Sequence, residues 1–368
     1  MVDWSELVAP GVRALEPLDV QSTVEQVRVL GAHEQATKLD WNESPFGPLP
    51  GVLDALGDEL ANVSRYPIEA YDDFRADAAR SLGVSSDCVV PGHGTQALIC
   101  TVATTLLQPG DAVVQPAVTF YLYRMVSVAR GAVVYETPMG ARGIDLEALL
   151  AKAREVDAKL LWICDPNNPT GTALERREWE AFLDALPERC VVVADEAYMD
   201  FLPPDRQLRR ERDVVDGKPL VVLRSFSKFF GLAGLRLGCA IADEALAGYL
   251  RVVDEPFNVN CVALAAGRAS LRVGDEVRAI RLREVADARE YLTEALVAVG
   301  AEPYPSEVSF VLVRVDADDV LLTRQLLDAG ILVRSGSELG LPGHIRVTVC
   351  PPSVTDRLAV ELGRALYR

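Results

Sequence analysis

Histidine and paired cysteine are the first things this chain lacks. Only three histidines occur, at 33, 93 and 344. No two of them stand at metal-ligand spacing, so no zinc site is expected. The seven cysteines, at 88, 100, 164, 190, 239, 261 and 350, are odd in number and include no Cys-x-x-Cys pair. Most lie in apolar runs such as Leu160–Cys164 and Cys190–Ala194, as small buried hydrophobes of a reducing compartment do. No apolar stretch is long enough to span a bilayer. The opening MVDWSELVAP has no basic segment ahead of an apolar run, so no signal peptide is expected. Together these absences point to a soluble cytoplasmic protein. Positive charge is scarce too: Lys and Arg number 37 against 54 Asp and Glu, and 37 − 54 gives −17. Such a surface repels nucleic acid and anionic lipid. An anionic ligand has to be captured by a local cluster of donors, which makes individual Arg and Lys positions informative.

What is present is a large apolar fraction, 49% over 368 residues, enough for two domains. Short apolar runs (Ala112–Gln115, Ala132–Tyr135, Leu160–Cys164, Val191–Ala194, Leu220–Leu223, Gly238–Ala242) read as strands. They are continuous rather than alternating, as strands covered on both faces are. Helical patterns fall between them, at Thr95–Leu107, Phe120–Ala129, Glu175–Ala185 and Ala245–Val253. The alternation predicts an α/β fold with a mostly parallel sheet flanked by helices. After about residue 255 the pattern changes. A long charged helix near Gly274–Val299 precedes strands at Phe310–Val315, Ile331–Arg334 and Ile345–Val349, with helices at Ala317–Ala329 and Thr355–Leu366. The expected division is an N-terminal arm over 1–45, without a strand of its own and packing on the small domain, a large domain over 46–253 and a smaller α+β domain over 254–368. The densest charge run, Arg206–Asp213, reads as a solvated loop. There is no internal repeat and no low-complexity segment.

Four segments carry chemistry. In LRSFSKFFGLAGLRLG (223–238) a strand ends, hydroxyls appear at Ser225 and Ser227, Lys228 follows, and Arg236 comes eight residues later. That is an amine able to condense with an aldehyde, beside hydroxyls and an arginine able to hold a phosphate. A lone SxSK would be an ordinary surface loop, but this segment is too apolar for one, and a buried Arg236 needs an anion. In LLWICDPNNPTGTAL (160–174) a buried strand runs into an Asn-Asn-Pro-Thr-Gly turn, placed where α/β proteins bind ligands. By itself that turn is equally at home as plain structure. In VVVADEAYMDF (191–201) Asp195 leaves an apolar run, followed by Tyr198. A carboxylate there needs a cation, such as a protonated pyridine nitrogen, or else it caps the next helix. In VVPGHGTQALI (89–99) a glycine turn enters a helix, either as an anion site or as a helix capped by Thr95.

These segments in this order resemble the fold-type-I pyridoxal-phosphate enzymes, and within them the histidinol-phosphate aminotransferase family. The resemblance also runs through KLDWNESPFGP (38–48), SRYP (64–67), VTFYLY (118–123), EPFNVN (255–260) and LVRSGSELGLPGHIRVTV (332–349), nearly the whole chain. It implies pyridoxal 5'-phosphate as cofactor, with catalytic roles for Lys228, Asp195 and Tyr198. Lys228 would hold the cofactor and move the α-proton, and Asp195 would pair with the ring nitrogen. Asn168 and Tyr198 would bond the ring hydroxyl, and Phe120 would stack on the ring where the family more often has Tyr. Gly94, Thr95, Gln96, Ser225, Ser227 and Arg236 would cradle the phosphate, with Tyr66 reaching it from the other subunit of a homodimer. Asn42, Tyr66, Arg334 and Arg346 would meet the substrate, Arg346 through its anionic group. No metal, nucleic acid or membrane partner is implied.

The chain departs from the family at Leu18, where a tyrosine is usual, and at Phe257, which replaces the tyrosine of a PYNVN motif. It departs again in Arg334–Gly340, which brings Glu338 where the family often carries a tyrosine nearby. Hydroxyls of this kind help the family bind a substrate phosphate, so their loss weakens the case for a phosphorylated substrate. His93, Gln96 and Ala97 also stand where Asn, Asp and Glu are common. The leading expectation is amino exchange between histidinol phosphate, or an aromatic or imidazole amino acid, and 2-oxoglutarate. An aromatic amino acid aminotransferase and a decarboxylase on the same scaffold stand as alternatives, and a non-catalytic binding module ranks below both.

Overall fold

The computed structural model describes residues 7–15, 20–141 and 143–366. Leu18 and its neighbours Glu16 and Pro17 lie outside them. A seven-stranded sheet forms the frame: β1 (Val89–Gly92), β2 (Ala112–Pro116), β3 (Val133–Thr137), β4 (Leu160–Cys164), β5 (Val191–Asp195), β6 (Leu220–Ser225) and β7 (Gly238–Ile241), in the order β1-β7-β6-β5-β4-β2-β3. Neighbours from β6 to β3 pair in parallel, and β7 is antiparallel to both β6 and β1. The continuous apolar runs have the expected cause. Along β4 and β5, Leu161, Ile163, Val192 and Ala194 enter a core on one face, while Leu160, Trp162, Cys164 and Val193 enter a second core on the other. A strand buried on both faces has no polar position to alternate with. The edge strand β3 is the exception, with Val133 and Glu136 exposed.

The second unit begins with the 24-residue helix Asp275–Ala298. Behind it stands a four-stranded antiparallel sheet: β8 (Glu302–Pro303), β9 (Phe310–Arg314), β10 (Arg334–Ser335) and β11 (His344–Thr348), ordered β8-β9-β11-β10. Helices Asp319–Asp328 and Pro352–Leu366 complete it. No helix among the described residues is long and apolar enough to cross a membrane.

Four local expectations fail. The segment before residue 45 has a strand after all: Thr37–Lys38 pairs in parallel with Ile331–Leu332. A strand of two residues is too short to leave a periodic pattern. The expected strand Ile331–Arg334 is in turn split, because Ile331–Leu332 faces that arm while Arg334–Ser335 joins β11. The arm is divided as well. Leu30, on helix Val20–Leu30, packs with Leu327 and Leu332, whereas Gly11 lies against the carbonyls of Val128 and Ala129 in the large unit.

The fourth failure is the charge run Arg206–Asp213, which is not a solvated loop. Arg210 starts a helix (Arg210–Val215) and is fully buried. Its guanidinium meets Asp165 at 2.5 Å and Glu196 at 2.9 Å and lies 4.0 Å over the Trp179 ring. Arg224 continues the network to Glu196 at 2.8 Å and Asp200 at 3.1 Å, and Arg278 of the long helix reaches Asp200 at 2.6 Å. Buried charges persist because each has an opposite partner. Those partners are remote in sequence, so the run by itself gives no sign of them.

Candidate active site

The carboxyl ends of β2, β4, β5 and β6 open into one cleft of about 660 Å³, roofed by residues 38–43 and by the second unit. The helix Gly94–Leu106, following β1, aims its N-terminus at the same place. The topology accounts for this, because parallel strands put their chain ends, and the loops that carry function, on one edge.

Lys228 follows β6 and donates from Nζ to the Trp41 carbonyl at 2.7 Å. Burial pushes its pKa down to about 7, with the Arg346 cation as the next cause and Arg236 and Lys38 adding to it. Asp195 ends β5 and is buried. Its Oδ2 accepts from the Tyr123 hydroxyl at 2.8 Å and its Oδ1 from the Ala197 amide at 3.0 Å. Burial raises its pKa to about 6 despite those bonds. Asp195 caps the following turn, and no cation lies within ion-pair distance of it among the described residues.

Beyond β4, both Asp165–Pro166 and Asn168–Pro169 are cis. Asn167 ties its loop down through Thr119, Val118 and Thr170, while Asn168 turns its Oδ1 to Arg346. The Tyr198 hydroxyl accepts from Asn42 Nδ2 at 2.9 Å, and burial raises its pKa. Arg346, on β11, is buried and gives Nη1 to Asn168 and Nη2 to the Asp40 carbonyl. Its Nε has no hydrogen-bond partner among the described residues. Burial, with the Arg334 cation adding to it, lowers its pKa to about 10. Arg334 itself is bound through Nε by Glu338 at 2.8 Å and lies 5.5 Å from the Trp41 ring centroid.

Arg236 adopts φ +56° and directs its guanidinium to Ser227 Oγ at 3.5 Å, Gln96 Oε1 at 3.4 Å and the Ala233 carbonyl at 3.1 Å. Ser225 Oγ accepts from the Ser227 amide. Gly94, at φ +74°, is required here, because a Cβ would come within 2.5 Å of Arg236 Nη2. Thr95 is the second residue of its helix rather than the cap. His93 holds the cap position and makes no side-chain bond there. Hydroxyls, guanidinium and a buried helix N-terminus thus face one point with no carboxylate among them, which is the donor set a phosphate needs.

Of the residues singled out from sequence, Asn42, Thr95, Gln96, Phe120, Asn168, Asp195, Tyr198, Ser225, Ser227, Lys228, Arg236, Arg334 and Arg346 all line this cleft. Gly94 lies just beneath Arg236. Tyr66 does not reach the cleft in its own chain: it is 78% exposed, with its ring 5.5 Å from Phe257. Sequence reasoning missed the Trp41 carbonyl and Tyr123. The latter had a signal, since a tyrosine on the buried face of an apolar helix must find a partner for its hydroxyl. No cluster of metal-ligating side chains occurs among the described residues.

Comparison with known proteins agrees with this geometry. The model of the aminotransferase class I and II family matches residues 34–362. A histidinol-phosphate aminotransferase of Brevibacillus brevis is 35% identical over 326 residues, 88% of this chain and 88% of its own length. Histidinol-phosphate aminotransferase 1 of Thiobacillus denitrificans is 37% identical over 361 residues, covering 97% of this chain and 93% of its own. The crystal structure of histidinol-phosphate aminotransferase from Sinorhizobium meliloti in complex with pyridoxal-5'-phosphate superposes with a TM-score of 0.88 at 26% identity, over 98% of this chain and 97% of that one.

Proposed function

The chain belongs to the aminotransferase class I and II family, and on that basis we propose that it is a pyridoxal-phosphate-dependent aminotransferase of the histidinol-phosphate type. It exchanges an amino group between histidinol phosphate, or a related imidazole or aromatic amino acid, and 2-oxoglutarate, as a cytoplasmic enzyme of histidine biosynthesis. The observation that carries this reading is the juxtaposition in one cleft of a lysine with a pKa near 7, a buried carboxylate without a cation and a phosphate-shaped donor set.

The residues fit the cofactor. Thr95, Ser225, Ser227, Arg236 and the helix N-terminus at Gly94 would hold its phosphate. Asp195 would face its ring nitrogen, with Asn168 and Tyr198 at the ring hydroxyl and Phe120 against the ring. When bound, the protonated ring accepts the electron pair left behind as a substrate bond breaks.

The chain's own groups do the rest. Lys228 Nζ, held in large part as free base near neutral pH, would take the α-proton of the substrate and return it two bonds away, on the far side of the substrate nitrogen. Tyr123 and the Ala197 amide hold Asp195 in place, so that its carboxylate would meet the ring nitrogen without reorganising. Arg346, aimed by Asn168 and Asp40, grips the substrate's anionic group and keeps the α-C–H bond beside Lys228. That grip disfavours a decarboxylase, which has to present the carboxylate bond instead.

Tyr66 would act in trans. Leu53, Leu60, Val63, Tyr66 and Ile68 are all more than 60% exposed along one short stretch, an apolar surface that a second copy of the chain would cover. In such a homodimer Tyr66 reaches the phosphate of the neighbouring site. The test is Lys228→Ala, which should abolish the visible absorption of the bound cofactor. Persistence of the colour would sink the reading.

A further inference from the structure

Arg334 and Arg346 stand directly opposite each other in the β10–β11 ladder, so both side chains project from the same face into the cleft. Two guanidiniums so placed would form a clamp for a doubly charged anion. They are not equivalent, however. Arg346 touches only neutral oxygens and keeps a buried Nε unpartnered, whereas Arg334 is already held by Glu338 at 2.8 Å. Lys38, nearby on the wall, is likewise taken by Asp40 at 3.1 Å and Glu43 at 2.7 Å.

Glu338 is partly exposed, at 41%, but it does not stand on a loose turn. Its turn is fixed on both sides by Asp319, which accepts from Ser335 Oγ at 2.5 Å, from the Ser337 amide and hydroxyl at 2.8 Å each, and from the Gly343 amide at 2.8 Å. The turn is also closed tightly. A Cβ on Gly336 would come within 2.2 Å of the Leu341 carbonyl oxygen.

We propose that Glu338 is a specificity-determining residue that cancels Arg334 and so shifts this anion subsite from dianionic phosphate monoesters toward monoanionic carboxylates. The proposal rests on the aminotransferase reading and names the substrate feature that the site weighs. A carboxylate needs one cation and finds Arg346. A phosphate needs the second, and meets Glu338 between itself and Arg334.

The test uses the holoenzyme and three amino donors that share an imidazole: histidinol phosphate, histidine and histidinol. Each is followed through the half-reaction by the spectrum of the bound cofactor. In Glu338→Gln, the kcat/KM ratio of histidinol phosphate to histidinol should rise about tenfold, the effect of removing one screened unit charge a few ångströms from a dianion. The histidine-to-histidinol ratio should rise by a smaller factor. The gain should disappear in Arg334→Gln/Glu338→Gln, because it depends on the released Arg334. An unchanged phosphate ratio, or a gain that survives loss of Arg334, overturns the proposal. If the wild-type enzyme reacts with none of the three donors, the aminotransferase reading has failed instead. Binding of inorganic phosphate and acetate to the cofactor-loaded protein then decides the matter. Glu338→Gln should tighten phosphate about tenfold more than acetate, and equal shifts refute the role of Glu338.

Discussion

Replacing Lys228 with methionine should make the cofactor-free protein more stable. The folded chain holds the lysine at a pKa of about 7, against 10.5 for an ordinary lysine. At about 1.4 kcal/mol for each pH unit, that gap of 10.5 − 7 amounts to about 5 kcal/mol when both states are protonated, and to about 4 kcal/mol at pH 7. Between pH 7 and 10.5 the unfolded chain binds a proton that the folded chain does not, so wild-type stability climbs with pH through that window. The penalty is therefore complete below pH 7 and absent above 10.5. Methionine removes it while filling similar space. The substitution forfeits the bond to the Trp41 carbonyl, worth about 1 kcal/mol. The net expectation is a gain of about 3 kcal/mol at pH 7 that closes to nothing, or slightly reverses, near pH 10.5. Urea unfolding of the stripped wild-type and variant proteins at pH 7 and pH 10 measures it. Equal stability at pH 7, or the same advantage at both pH values, refutes the reasoning. The destabilisation has a chemical use, because at pH 7 about half of the lysine is free base rather than about one part in 3,000.

Three further substitutions test the scaffold and the phosphate cradle. Arg210→Met should cost about 3–5 kcal/mol, since it strands Asp165 and one oxygen of Glu196 without their buried cation. Adding Asp165→Asn should return about 1–2 kcal/mol in the same denaturation assay, because a neutral amide tolerates the loss better. No loss in Arg210→Met would mean that the carboxylates are not held as described. Gly94→Ala forces a methyl group against Arg236 and a residue with a side chain into φ +74°. Titration of the stripped protein with pyridoxal phosphate should show affinity weakened by tenfold or more, about 1.4 kcal/mol, with little change in fold by circular dichroism.

How much of this was legible in the sequence depends on where each signal is stored. β4 is bounded as its apolar run predicts, because burial on two faces writes itself into consecutive residues. β1 was read as part of a glycine turn: four residues containing a proline and a glycine carry too little pattern to separate from the loop that follows. Lys228, Asp195, Asn168 and Arg236 were legible because reactive side chains recur with their neighbours in a fixed order. The Trp41 carbonyl was not, because a backbone acceptor can belong to any residue type. Tyr123 was hidden by its own apolar surroundings, and its role emerges only once β5 brings Asp195 within 2.8 Å.

The charged residues follow a stricter rule, and it accounts for how an acidic chain can bind anions at all. With a formal charge of −17 the average field opposes every phosphate and carboxylate that the site must take. Lysines and arginines alone therefore say little about where an anion lands. Arg210, Arg224, Lys38 and Arg334 each have a carboxylate of their own that offsets their charge. Arg236 and Arg346 do not, and each is aimed by neutral oxygens rather than neutralised by charged ones. A cation held by amides and carbonyls keeps its charge for a ligand, whereas one held by a carboxylate has spent it. The two anion subsites proposed for the cleft lie where that withholding occurs, and Glu338 would matter because it moves Arg334 from one class to the other.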